Sequence, residues 1–319
     1  MVKDFVRSLA EAAQLPAVWL SSRERPLDAW THEERARAES TLQTAGALLL
    51  RGFETPSLAS FQQFAESFGH ALLDYEFAST PRTSLTNGVY TSTEYPAHQR
   101  IPLHNEQSYT RSWPMKIWFY CERAAEDGGE TPIADSRAIY RAIPTSIRDR
   151  FVERGLRYVR NYGGGLDVPW QQVFGTEDTG EVERICDARG IACEWKGDGE
   201  LRTREHAQAV ARHPRTDAWV WFNQAHLFHV SALAADVRES LLEVVDEEDL
   251  PRNVYYGDGA PIEDALLAEI RQVLDRHKVV FPWQSGDVLM LDNMLVAHAR
   301  EPFRGPRQVR VAMAEPYSK

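Results

Sequence analysis

Residues 293–313 read NMLVAHAREPFRGPRQVRVAM, and both the fold and the chemistry of the chain turn on this stretch. Two apolar runs, LVAHA and QVRVAM, flank a turn containing Pro302, Gly305 and Pro306. Short apolar runs bounded by Pro and Gly are the signature of adjacent strands. Side chains alternate between the two faces of an extended chain. Arg307, Val309, Val311 and Met313 therefore share one face, and Gln308, Arg310, Ala312 and Ala314 share the other. The first face is apolar and should line the interior, carrying Arg307 inward and leaving Arg310 outside. Arg300 and Arg304, beside the turn, are expected in solvent.

These arginines stand out because the rest of the chain is acidic. The 319 residues carry 36 Lys+Arg against 47 Asp+Glu, a formal charge of -11. Such a surface repels phosphate backbones and anionic lipid, which argues against nucleic-acid or membrane partners. An anionic ligand must then be met by a local basic cluster, and guanidinium groups grip carboxylates bidentately. The N-terminus, MVKDFVRSLAEAAQ, lacks the apolar run of a secretory signal, and no stretch approaches the ~20 apolar residues of a membrane span. Cys121, Cys186 and Cys193 fit neither a zinc knuckle nor a CxxC redox pair, so free thiols in a reducing, cytoplasmic setting are expected.

Upstream, EERARAESTLQTAG (33–46) reads as an amphipathic helix ending near Gly46, followed by a buried strand in ALLLRGF. SLASFQQFAESFG (57–69) opens on a Ser cap and carries Phe61, Phe64 and Phe68 on one helical stripe. KIWFYCE (116–122), DAWVWFNQ (217–224) and VLMLD read as strands. The segment SRAIYRAIPTSIRDRFVER is helical with an interruption at Pro144. Two further amphipathic helices lie in VSALAADVRESLLEVVD and PIEDALLAEIRQVLDRHK, and residues 201–210 read as a polar segment. With no repeat, no GxGxxG and no dividing linker, residues 1–319 are expected to form one domain. Strands at the front and back then make a β-barrel or sandwich, with a helical insertion at about 136–275.

The segment IPLHNEQSY (101–109) supplies the second half of the argument. In an extended strand His104 and Glu106 project from one face, with Asn105 opposite. An imidazole beside a carboxylate is two-thirds of a facial iron(II) triad, and HxE alone is a weak signal. His298, at the end of an apolar strand and beside the arginine cluster, is the candidate third ligand.

The chain resembles the taurine dioxygenase/clavaminate synthase-like superfamily of iron(II)- and 2-oxoglutarate-dependent oxygenases, most nearly its syringomycin-type aspartyl hydroxylase branch. The matching segments are GALLLRGF, VYTSTEYP, LHNEQSY, WPMKIWFYCERAAEDGGETPIADSR, VWFNQAHLFH and DNMLVAHAREPFRGPRQVRVAM. The resemblance implies a mainly β fold with a double-stranded β-helix (jelly-roll) core. It implies that His104, Glu106 and His298 bind iron(II), and that Arg307, assisted by Thr131, binds the distal carboxylate of 2-oxoglutarate. Dioxygen is the second cosubstrate. Glu106 stands where taurine dioxygenase has aspartate, and HAR replaces the common HGR. Halogenases of this superfamily lack the carboxylate ligand, so Glu106 points to hydroxylation. The implied substrate is an amino acid or amino-acyl group, free or on a carrier protein, in specialised metabolism. Desaturation or cyclisation uses the same cofactors, and a non-catalytic ligand-binding β-barrel is the reading from another class.

Other polar residues read as less central. His226 and His229 lack an acidic neighbour in sequence and are expected to be structural, as are Asn223 and Gln224. Tyr90, Thr91 and Glu94 border the pocket on a loop, where Glu94 is either a recognition site for a substrate amine or a surface acid. Trp219 and Trp221 are expected in the core, and His32, His70, His98, His206, His213 and His277 on the surface.

Overall fold

The computed structural model describes residues 15–21, 26–55, 57–73, 83–86, 88–92, 95–163 and 168–319. Glu94 lies outside them. The strands that organise the molecule are β1 (Ala17–Leu20), β2 (Ala47–Arg51), β3 (Ser84–Thr86), β4 (Val89–Thr91), β5 (Ile101–His104), β6 (Ser112–Arg123) and β7 (Ile133–Asp135). They are followed by β8 (Leu156–Tyr162), β9 (Ala192–Trp195), β10 (Leu201–Ala207), β11 (Arg252–Tyr256), β12 (Val288–Asp292), β13 (Val296–Arg300) and β14 (Gln308–Ser318).

Seven strands form one large sheet in the order β1-β2-β12-β6-β14-β4-β3, and three form a small sheet in the order β5-β13-β7. The period of two in β2, β6 and β12 builds two cores from one sheet. Leu48, Leu50, Trp118, Tyr120, Val288 and Met290 face outward beneath helices α1 (His32–Ala45) and α2 (Leu58–Glu66). Leu49, Ile117, Phe119, Leu289, Leu291, Val309 and Val311 face inward and pack with Ile133 and Val296 of the small sheet. The two sheets thus oppose each other across a shared core, in a mostly-sheet molecule covered by helices.

Local chemistry sets the entry into β2. Thr31 and Glu34 form a reciprocal capping box at the start of α1. Gly46 ends it at φ +82°, where a Cβ would meet Val296 Cγ2 at 2.5 Å. Glycine alone allows that handedness and that approach to the small sheet. Ser57 caps α2 by accepting from the Ser60 N–H, and Phe61 and Phe64 are fully buried beneath it. Burying each ring stabilises the fold by about 1.5–3 kcal/mol.

The region 136–275 differs from its expected helical character. It contains helices Ser136–Ala142 and Thr145–Arg154, broken at Pro144 as expected, with Thr179–Arg189 and Asp264–Arg276 further on. It also contains a four-stranded antiparallel sheet, β9-β10-β8-β11, in which the "polar segment" at 201–210 is largely the strand β10. The reason is that its charged side chains find partners once the chain folds, Arg202 also pairing with Glu248 and Asp249 outside the sheet. Arg202 donates to Asn161 on β8, and Arg204 pairs with Glu194 on β9. Charged strands hide the alternation that marks β-structure. Among the described residues no helix is long and apolar enough to cross a membrane, and all three cysteines are free.

Candidate metal centre

β13 is the middle strand of the small sheet, and His298 lies in register with His104 on β5 and Ile133 on β7. The imidazole centroids of His104 and His298 are 4.4 Å apart, and the Phe119 ring from the large sheet lies 5.1 Å from His298. His104 Nδ1 donates to the Pro102 carbonyl at 2.9 Å, because a carbonyl can only accept. In the neutral ring that leaves the lone pair on Nε2.

Glu106 reaches the same point by a route that strand parity does not describe. β5 ends at His104, and the chain turns away over 105–109, with Gln107 at φ +55°. Asn293, 187 residues away, holds the turn: its Oδ1 accepts from Glu106 N at 2.8 Å, and its Nδ2 donates to Glu106 O at 2.9 Å and Pro114 O at 2.8 Å. Asn105 Nδ2 donates to Asn293 O and Ser136 Oγ, and Asn105 O accepts from Gln224 Nε2. The result is a 5 % exposed carboxylate beside two imidazoles. One ligand atom from each of His104, Glu106 and His298 lies within 4.8 Å of the others, the only such group of three among the described residues. Two nitrogen donors and one hard oxygen donor suit a mononuclear iron(II) centre, so the donor set fits.

Asn293→Ala removes partners from buried backbone groups, each costing about 1–3 kcal/mol. We expect a lower melting temperature together with weaker iron(II) retention, read by thermal denaturation and metal analysis after dialysis. Unchanged metal content in the folded variant would deny the clamp its role.

His104 and His298 share a pocket with Ser92, Phe119, Thr131, Arg300 and Arg307. Arg307 lies just before β14, whose pairing with β6 shifts at Gln308/Val309, and it points into the pocket as parity predicts. Its Nε donates to Gly129 O at 2.8 Å and its Nη1 to Ser92 Oγ at 3.2 Å, and it forms no ion pair with a described acid. Burial, with Arg300 adding to it, pulls the Arg307 guanidinium down to about 10. A carboxylate bound here would relieve that cost. Thr131 Oγ1 accepts from Trp283 Nε1 at 3.0 Å, which reserves its hydroxyl proton for a further acceptor. Arg310 points outward onto Glu122.

Gly129 sits at φ +73°, and a Cβ there would lie 2.9 Å from Arg307 Cδ. Gly129→Ala should push the guanidinium aside and raise the KM for an organic-anion cosubstrate roughly tenfold or more, with kcat at saturation largely kept. An unaltered KM would mean that Arg307 does not meet that anion.

Three expectations change. Arg300, expected in solvent, is 6 % exposed and lines the pocket, donating to the carbonyls of Tyr95, Pro96 and Gln99. His213, expected on the surface, is 1 % exposed and donates to Asp292 at 2.9 Å, with its Nδ1 accepting two backbone N–H groups. Trp219, expected in the core, is 46 % exposed and stacks on Tyr140, whereas Trp221 is buried. His226 is structural as read: it is buried, donates to Leu103 O, and is held down to about 4 by desolvation. His229 accepts from Ser231 N, Asn223 donates to Ala209 O, and Gln224 braces Asn105. Sequence reasoning missed Asn293, Ser92 and Trp283. Only Asn293 left a signal, as a polar pair with Asp292 between two apolar runs.

Two opposed sheets enclosing a His-carboxylate-His cluster and an arginine-threonine anion pocket define a candidate mononuclear metal enzyme that uses an organic-acid cosubstrate. The family comparison places it further. Residues 11–313 match the taurine catabolism dioxygenase TauD, TfdA family, and the chain belongs to that family. It is accordingly an oxidoreductase, a dioxygenase that uses iron(II), 2-oxoglutarate and dioxygen. It is 44% identical over 278 residues to the dapdiamide synthesis protein DdaC of Enterobacter agglomerans, covering 87% of this chain and 84% of that one. It is 34% identical over 289 residues to a clavaminate synthase-like protein of Arabidopsis thaliana, again covering 87% and 84%. Among solved structures, AAD-2 in complex with Mn(II) and N-oxalylglycine superposes with a TM-score of 0.56 over 94% of each chain at 16% identity, a likeness of fold.

Proposed function

We propose that His104, Glu106 and His298 hold the iron(II), that Arg307 and Thr131 hold the distal carboxylate of 2-oxoglutarate, and that the enzyme hydroxylates an unactivated C–H of an amino-acid-like substrate. The reading is carried by one observation: three donors of the right kinds converge, and two of them, His104 and His298, line the same pocket as a half-buried arginine and a threonine aimed to donate. In this reading the two opposed sheets are a double-stranded β-helix, and the chain is a single oxygenase domain with a mixed insertion at about 136–275.

When bound, the metal with 2-oxoglutarate and dioxygen supplies the oxidising power for C–H cleavage. The residues do the rest. His104 is fixed in one tautomer by Pro102 O, and Glu106 is fixed by Asn293, so the ligand set is held before metal arrives. Arg307 and Thr131 supply a charge and a donor for one carboxylate, setting which end of the cosubstrate faces the metal. Phe119 gives the centre an apolar wall that limits water. Glu106 occupies the carboxylate position, which favours hydroxylation over halogenation.

DdaC acts in dapdiamide synthesis by its name, and this supports a role in natural-product biosynthesis on an amino acid or amino-acyl group, free or on a carrier protein. Three free thiols suit a cytoplasmic setting. The test is succinate release from 2-oxoglutarate by purified protein with iron(II) under air, followed by a screen of free and carrier-bound amino acids. Absence of both uncoupled and substrate-driven succinate would reject the assignment of these residues.

A further inference from the structure

A cavity of about 520 Å³ lies apart from the metal pocket and shares no lining residue with it. Its size falls within the ~300–1,000 Å³ typical of small-molecule sites. It opens where β8 and β10, the helix Thr179–Arg189 and the start of β6 meet. Part of its wall is aromatic. Tyr109 and Phe228 pack at 4.9 Å between centroids, and Tyr158 meets Phe228 edge-on at 5.0 Å. The rest carries charge of both signs, from Arg160, Arg189 and Glu205.

The mixture of signs is informative. Arginines alone would describe an anion site. Glu205 adds a carboxyl group whose proton is held up to about 7 by burial, although Arg189, Arg111 and Arg160 all act to release it. A ligand ammonium would favour the ionised form of that acid. The rings add an apolar part to the lining, suited to an apolar or aromatic body.

We propose that this cavity binds an α-amino acid as its zwitterion, with the ammonium on Glu205, the carboxylate on Arg160 and Arg189, and a large or aromatic side chain against Tyr109, Tyr158 and Phe228. The inference builds on the amino-acid reading of the enzyme and adds a second site to it. That site adjoins the ligand loop: Tyr109 follows Glu106 by three residues, and the Tyr158 hydroxyl accepts from the N–H of Gln224, whose side chain holds Asn105 O.

The experiment is titration calorimetry on the whole protein loaded with Mn(II) and N-oxalylglycine, using L-phenylalanine as the probe. Its two analogues are 3-phenylpropionate, which lacks the ammonium, and L-phenylalaninamide, which lacks the carboxylate. Phenylalanine should bind about tenfold or more tighter than either analogue, since each removes a charge-assisted hydrogen bond. Glu205→Gln should abolish the preference over 3-phenylpropionate, and Arg189→Gln should reduce the preference over the amide. Both should leave N-oxalylglycine binding unchanged. No binding of phenylalanine, or equal binding of inorganic phosphate in competition, would overturn the site. Phenylalanine binding that neither variant alters would move the amino acid to the metal pocket, sinking the cavity and leaving the amino-acid reading intact. Failure of Mn(II) and N-oxalylglycine to bind would strike the metal reading alone, because the amino-acid titration also runs without them.

Discussion

His298→Ala is expected to abolish the absorption band that iron(II) and 2-oxoglutarate produce when added together without air. The imidazole is 4 % exposed in the middle strand of the small sheet, flanked by His104 and Phe119, so no other described side chain can replace it. Losing groups that merely orient metal ligands costs ~10–100-fold in affinity, and losing a ligand itself should exceed that. The variant should stay folded, because truncating one buried ring costs only about 3–5 kcal/mol and the opposed sheets share an extensive core. Circular dichroism provides that control. A band of normal intensity in the folded variant would reject the triad. Glu106→Ala should weaken the band without abolishing it, because both imidazoles remain to hold the metal.

How far the sequence disclosed this site depends on whether the partners of each residue are side chains or backbone. Arg307 was legible because its direction follows from alternation with Val309, Val311 and Met313. The helices α1 and α2 were legible because Gly46 ends the first and Ser57 opens the second by local chemistry. Convergence of His104 and Glu106 was anticipated, but its cause was not. Glu106 leaves the strand because Asn293 claims its backbone, and a contact across 187 residues has no local signature. Arg300 was misplaced for a similar reason: its acceptors are the carbonyls of Tyr95, Pro96 and Gln99, and any residue types could supply those. The sheet β9-β10-β8-β11 was overlooked because its charged residues find their partners only after the chain folds, Arg204 on Glu194 across the sheet and Arg202 on Asp249 outside it.

The pocket assigns the second large effect to Arg307. Arg307→Ala should weaken 2-oxoglutarate by about 2–3 kcal/mol, the scale of a charge-assisted bond partly removed from water, or roughly 30–150-fold in Kd. Arg307→Lys should recover only part of this, because an ammonium cannot reproduce the planar fork. Thr131→Val should cost about 1 kcal/mol, the value of one neutral donor. The double variant should lose less than the sum, since both side chains serve one carboxylate. The charge state supplies an independent check. A guanidinium lowered to about 10 is still protonated at neutral pH, so affinity should be flat there and fall as pH rises through that value. Calorimetry with 2-oxoglutarate and a metal that does not turn over measures all of these. Wild-type affinity in Arg307→Ala would transfer the anchor to Arg300. Arg310 cannot take the role, because its guanidinium is already committed to Glu122 on the outer face, whereas Arg300 is the other cation lining the pocket and is buried.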